Sequence, residues 1–232
     1  RDILSVEKRL DKIKKSPQNS EKNTKRELET LNFILSKMNQ GIMVYDIPLE
    51  IRQKESISIL SLLTNKPTLY VLNVDEDTII NNKENIYNQQ IYDFAIKRKN
   101  NIIQLCGKLE SEISYLDDNE ITIFLNEYNI QEPGLTKLIH AAYNLLDLVT
   151  FFTAGKKEVR AWTIKNGTHA PRAAGQIHSD IEKGFIKAEV YKYQDLIKYK
   201  SEINLRESGK IRLEGKNYII QDGDVIFFKF NI

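Results

Sequence analysis

The residues best placed for chemistry fall in two short loops. Asn73-Val74-Asp75-Glu76 follows the apolar run Thr68-Leu69-Tyr70-Val71-Leu72, and Cys106-Gly107-Lys108-Leu109-Glu110 follows Asn101-Ile102-Ile103-Gln104-Leu105. Runs of this kind read as strands buried on both faces, and in open α/β sheets ligands bind at the carboxyl ends of strands. Asn73 and Cys106 stand at such ends. By itself, Asn-x-x-Glu reads first as a loop closed by an Asx turn. A lone Cys106 reads as a small buried residue with no nucleophilic role. His140, His169 and His178 lack metal-ligand spacing. His178, Asp180 and Glu182 span a helix end and a loop, where capping or a surface role is expected. No Ser–His–Asp order stands out, so catalytic and metal-binding residues are both assigned as none. Gly-x-x-x-x-Gly-Lys-Ser/Thr, which wraps phosphates in backbone N–H groups and sets a hydroxyl on magnesium, occurs nowhere in the 232 residues.

Composition bounds what must position these loops. The chain is 41% hydrophobic and 28% charged, ordinary for a globular protein. No run approaches the ~18 apolar residues that span a bilayer, so no membrane partner is expected. One cysteine excludes an intrachain disulfide and a Cys-based zinc site, and fits the cytoplasm. Arg1-Asp2-Ile3-Leu4 lacks both Met and a signal-peptide core, and reads as a cut end. The net charge of +2 hides an asymmetry: residues 149–232 carry 15 Lys/Arg against 10 Asp/Glu, the remainder 19 against 22. A basic C-terminal module suits a polyanion such as RNA, although a modestly basic solvated surface accounts for the same numbers.

Three parts follow from periodicity. In residues 1–57, Ile3, Val6, Leu10 and Ile13 make one helical stripe, and Leu28, Leu31, Ile34, Leu35 and Met38 a second, with a turn cluster at Ser16-Pro17-Gln18-Asn19-Ser20 between them. This predicts a helical hairpin, ended at Gly41, with a further helix over 51–64. In residues 58–148 the two strands alternate with helices near 85–99, 109–116, 118–128 and 135–148, as in a parallel α/β sheet. Asp117-Asp118-Asn119-Glu120 should open one of them. In residues 149–232, strands are expected at 158–164, 185–190, 218–221 and 225–230, and helices near 171–178 and 195–200. Gln221-Asp222-Gly223-Asp224 reads as a hairpin turn, and Trp162 and Phe227–Phe230 as β-core and strand faces. Small mixed β with one principal helix suggests a β-grasp fold.

Three long stretches in order then resemble the TGS domain of the YchF family of Obg-like ATPases. They run from Phe151-Phe152-Thr153-Ala154-Gly155 to Ala161-Trp162-Thr163-Ile164, from Ala173-Ala174-Gly175-Gln176-Ile177 to Ala188-Glu189-Val190, and from Leu213-Glu214-Gly215-Lys216 to Asp222-Gly223-Asp224-Val225. Leu60–Thr68, Asn73–Glu76 and Glu132-Pro133-Gly134-Leu135 match the central third. The first third is similar mainly in layout. The resemblance implies an α/β chain: a helical insert (1–57), the C-terminal half of a P-loop NTPase G domain with its parallel sheet (58–148), and a TGS β-grasp domain (149–232).

The family's members bind and hydrolyse ATP in preference to GTP, an acid-anhydride hydrolysis, and associate with ribosomes. The resemblance therefore implies ATP and Mg2+ as cofactors of the complete protein, and the ribosome or its RNA as partner through the basic TGS domain, in the cytoplasm. It also assigns base contacts. Guanine-specific relatives carry Asn-Lys-x-Asp, whose Asp accepts from guanine N1–H and the 2-amino group. Here Glu76 stands in that place, one methylene longer, and adenine lacks both donors. Asn73 is expected to orient the base edge, Val74 to offer its backbone, and Cys106 and Gly107 to support the base through backbone N–H groups, Gly107 departing from the usual Ala. In the family, the phosphate clamp and magnesium-binding segments precede the residues present, so the chain alone is expected to be inert. The alternative is a TGS-containing module that binds RNA or ribosome without hydrolysis.

Overall fold

The two apolar stripes of the first part become the buried faces of α1 (Asp2–Lys14) and α2 (Lys22–Asn39). Val6, Leu10, Ile13, Leu31, Ile34 and Met38 share one core, each large side chain contributing ~1.5–3 kcal/mol by leaving water. Arg9 Nε donates to Glu27 Oε1 at 2.7 Å across the pair. The computed structural model describes residues 1–15, 22–81, 83, 86–98, 100–155 and 158–231, so the expected turn at Ser16–Ser20 lies outside them, as do Asn85 and Lys99 at the ends of the expected helix over 85–99. α2 ends as expected: Ile42 N–H reaches Lys37 O at 3.1 Å and Gly41 N–H reaches Met38 O at 2.9 Å. This double closure needs the left-handed backbone that Gly41 supplies, φ 77°.

The next helix is shorter than its pattern. α3 (Ile51–Ser58) stops where the chain turns, with Ser61 at φ 48°. Ile57 and Leu62 are buried, while Ile59 is 75% exposed. A 3-10 turn at Leu63–Asn65 follows, and its Thr64 donates through N–H and Oγ1 to Asp2 Oδ2 at 2.7 and 2.8 Å.

The chain divides into two compact units, Arg1–Gln131 and Glu132–Ile232. The first contains a parallel pair, β1 (Leu69–Asn73) and β2 (Asn101–Leu105), in register from Leu69↔Asn101 to Asn73↔Leu105. α4 (Glu76–Asn81) and α5 (Ile86–Lys97) connect them. α6 (Gly107–Ile113) and α7 (Asp118–Glu127) follow, α7 opened by a reciprocal Asp117/Glu120 capping box. The expectation that β1 is buried on both faces does not hold: Leu72 is buried but Val71 is 45% exposed. Among the described residues this sheet has two strands.

The second unit begins with α8 (Gly134–Leu145) and β3 (Leu148–Ala154). β4 (Val159–Lys165), α9 (Ala170–Ile177), α10 (Ser179–Lys183) and β5 (Phe185–Lys192) follow. α11 (Tyr193–Tyr199), α12 (Glu202–Glu207), β6 (Arg212–Glu214) and β7 (Asp224–Phe230) complete it. The strand order is β4-β3-β7-β5-β6, with β3 and β7 parallel and the other pairs antiparallel. This is a TGS-type mixed sheet. Phe151, Ile226 and Phe228 pack with Ala170, Ala173 and Ala174 of α9 in its core, and Trp162 packs against them.

Two expectations fail here. Tyr218–Gln221 makes no strand beyond a single bridge, His169↔Ile219, because its polar groups are engaged elsewhere. Ile220 N–H to Thr168 O is one of that bridge's own bonds, and beyond it Gln221 N–H and Tyr218 OH go to Asp224. Without that strand, Gln221–Asp224 is a turn but not a hairpin. It closes with Asp224 N–H to Gln221 O at 3.1 Å, and is held by Asp222 Oδ1 accepting from Thr150 N–H at 2.8 Å.

Candidate functional site

Parallel register brings the two loops to one end of the β1–β2 pair. Because Asn73 sits opposite Leu105, both strands run out at the same level. Val74 N–H continues the ladder to Leu105 O at 2.9 Å. The Asn73 side chain crosses to the other loop, its Oδ1 accepting from Gly107 N–H at 2.9 Å over 34 positions of sequence. The five predicted residues, Asn73, Val74, Glu76, Cys106 and Gly107, therefore lie in two neighbouring loops. Cys106 is buried and caps α6, its carbonyl accepting from Glu110 N–H at 3.0 Å.

The Asx reading is realised by a different residue. Asp75 Oδ1 accepts from Thr78 N–H at 2.8 Å and starts α4. Hydrogen bonds from the Thr78 side chain and backbone hold the Asp75 carboxyl below its usual range. This leaves Asn73 available for the second loop. Glu76, first residue of α4, turns its Oε1 to Lys108 Nζ at 2.8 Å, and the Glu76 carboxylate raises the Lys108 ammonium above its ordinary value. Lys108 is the residue that sequence reasoning left without a role. Its only signal was its place beside Gly107, since the register that brings it to Glu76 is not written locally. A Cβ at Gly107 would sit 3.3 Å from Asn73 Oδ1, a tight contact that the Asn73 side chain would have to ease.

These contacts define what the loops can offer. With Oδ1 engaged, Asn73 retains Nδ2 as a donor. With its N–H engaged, Val74 retains its carbonyl as an acceptor. The backbone N–H expected of Gly107 is already given to Asn73. Elsewhere, His178 Nδ1 accepts from Asp180 N–H at 3.2 Å and caps α10, while Glu182 turns to Arg172 Nη1 at 3.4 Å. Among the described residues no group of three His, Cys, Asp or Glu is arranged to hold a metal ion, and no helix is long and apolar enough to cross a membrane.

Known proteins are similar to this chain over its whole length. The ribosome-binding ATPase YchF of Pasteurella multocida is 45% identical over 231 residues, which cover 100% of this chain and 63% of that protein. The chain is homologous to the YchF proteins over its full length. The Bacillus subtilis YchF is 43% identical over the same span, and the family profile YchF-GTPase_C, described as a protein of unknown function (DUF933), matches residues 148–231. The solved Schizosaccharomyces pombe YchF GTPase superposes with a TM-score of 0.82 at 32% identity, covering 98% of this chain and 62% of that one. The chain thus spans about 63% of the length of the curated YchF relatives it matches.

Proposed function

We propose that this chain supplies the base-contacting part of a ribosome-associated, nucleotide-hydrolysing protein of the YchF type, with ATP preferred to GTP. The observation that carries the base preference is the Glu76–Lys108 contact at 2.8 Å. A guanine clamp needs a free carboxylate at this position, accepting two hydrogen bonds from the base. Glu76 is instead engaged by a cation, and would have to leave it to meet guanine. Adenine asks nothing of that carboxylate. Its 6-amino group suits an acceptor such as the Val74 carbonyl, where guanine presents a carbonyl of its own. Asn73 Nδ2 can donate to N7, which both purines carry, and so orients the base without selecting it. Cys106 and Gly107 set the floor of the site by fixing the second loop.

The residues present fit a purine edge: one amide donor, one carbonyl acceptor and a narrow seat at Gly107. ATP and Mg2+ belong to the complete protein in this reading, and the chain's own residues hold the base rather than the phosphates. Lacking Gly-x-x-x-x-Gly-Lys-Ser/Thr, the chain is inert by itself. The module boundaries follow the same reading: helical insert 1–57, half G domain 58–148 and TGS domain 149–232, the last contacting ribosomal RNA through its excess of cations in the cytoplasm. The test is Glu76→Asp in a chain extended to carry the phosphate-binding segment. Shortening the side chain withdraws it from Lys108, and GTP use should rise relative to ATP by about tenfold or more. An unchanged ratio refutes the role given to Glu76.

A further inference from the structure

Among the described residues, the last residues of β7 are paired on one side only. β7 runs antiparallel to β5 from Asp224 to Phe230, but its ladder with β3 registers only at Phe151↔Asp224 and Phe152↔Val225. β3 continues to Ala154 in its pairing with β4. Tyr193 N–H to Gly223 O and Asn231 N–H to Gly184 O, both 2.9 Å, set the phase of β7. Odd-numbered residues turn their peptide groups to β5, so Phe228 and Phe230 turn theirs to the unpaired side. Gly155 N–H bonds Glu158 O at 2.9 Å, so by the same alternation Ala154 faces this notch from β3.

A cavity lies on each face of the notch. One, about 350 Å3, is lined by Ile177, Ile181, Phe228 and Phe230, with Glu158 at its rim. The other, about 500 Å3, is lined by Glu189, Tyr191, Glu202 and Arg206. Ala154, Gly155, Ile226 and Phe227 border both, and Phe227 and Phe230 remain 58% and 40% exposed. We propose that the notch docks an extended, basic segment of another polypeptide, which adds as a strand beside β7. Successive side chains of a strand point to opposite faces. Apolar positions enter the isoleucine–phenylalanine cavity, and the intervening Lys or Arg face Glu189 and Glu202. Arg206 and Lys229 already contact Glu189, so Glu202, which accepts from the Tyr191 hydroxyl at 2.8 Å, carries most of the selection. Carboxylates here, in a region with 15 Lys/Arg against 10 Asp/Glu, favour a cationic peptide over a polyanion.

The test titrates the isotope-labelled 232-residue chain with a short peptide alternating valine and lysine, the same peptide N-methylated at every residue, and a short oligouridylate. The alternating peptide should shift the amides of Ala154, Phe228 and Phe230 saturably. N-methylation, which removes strand pairing and keeps the side chains, should weaken binding by about tenfold or more, as should Phe230→Lys in a chain whose spectrum otherwise stays native. The proposal is overturned by no saturable shift at millimolar peptide, by equal binding of the N-methylated peptide, or by stronger shifts of the same amides with the oligouridylate.

Discussion

Replacing Asp224 by Ala should destabilise the C-terminal unit by several kcal/mol while sparing the other. The Asp224 side chain is 0% exposed. Its Oδ2 accepts from Tyr218 OH at 2.7 Å and Gln221 N–H at 2.9 Å. Lys192 Nζ lies 2.8 Å from Oδ1, but outside hydrogen-bond geometry, so it is counted as an ion pair only. Burial and then the bond to Asp224 push the Tyr218 hydroxyl up to about 12. Hydrogen bonds to a charged group are worth ~1.5–3 kcal/mol each. Lys192 and Arg212 are 36% and 47% exposed and can return to water, so little is added for them. Asp224→Ala should therefore cost about 3–5 kcal/mol. Asp224→Asn, which keeps an acceptor for both donors, should cost clearly less. Trp162 is the single tryptophan and packs 6.5 Å from Phe151 in the same unit, so its fluorescence reports this unit alone. With an m-value of about 1–1.5 kcal/mol/M for some 100 residues, the urea midpoint should fall by ~2–5 M. A fall below ~0.5 M at unchanged m would refute the reasoning, and equal losses for Ala and Asn would assign the effect to charge rather than hydrogen bonding.

Three further outcomes are expected. Hydrogen bonding by Lys229 is the largest influence on Glu189, and with Arg206 it holds the carboxyl below its ordinary value of 4.5. A depressed folded-state pKa gives stability that is present above ~4.5 and lost as pH falls through the lower folded value. Glu189→Gln should therefore flatten the acid side of the Trp162-monitored stability profile below pH ~4.5, and an unchanged acid slope would count against the pair. Asn73→Ala should free the Gly107 amide at a cost of about 1 kcal/mol, seen as several-fold faster hydrogen exchange at Gly107; unchanged exchange would mean the loops are held together otherwise. The chain alone should release no phosphate from ATP, and sustained magnesium-dependent release by a pure sample would contradict its proposed inertness.

Legibility in the sequence followed the range of the interaction. The stripes of α1 and α2, the stop at Gly41 and the cap at Asp117 rest on contacts within a few residues, and they were readable. β3 was missed because Leu148–Ala154 follows directly on the α8 pattern, and the boundary between two apolar segments carries no punctuation. α4 has no separate signal because Asn73–Glu76 reads as a loop, whereas Asp75 caps a helix that begins at Glu76. Tyr218–Gln221 looked like a strand by composition, yet a buried carboxylate that follows it claims its donors.

For the candidate site, the residue types and the strand–loop–helix order were determined by the sequence itself, as was the lack of a phosphate-wrapping motif in this chain. Tertiary structure alone decided that Asn73 bonds Gly107 rather than its own loop, that Val74 keeps only its carbonyl, and that Lys108 holds Glu76. Each depends on the register of β1 against β2. One parallel register sets partners 34 positions apart, and local propensity does not encode such a pairing. A hydrogen-bonding side chain declares what it can do by its type, but what it has left to offer a ligand is known only once its protein partners are in place.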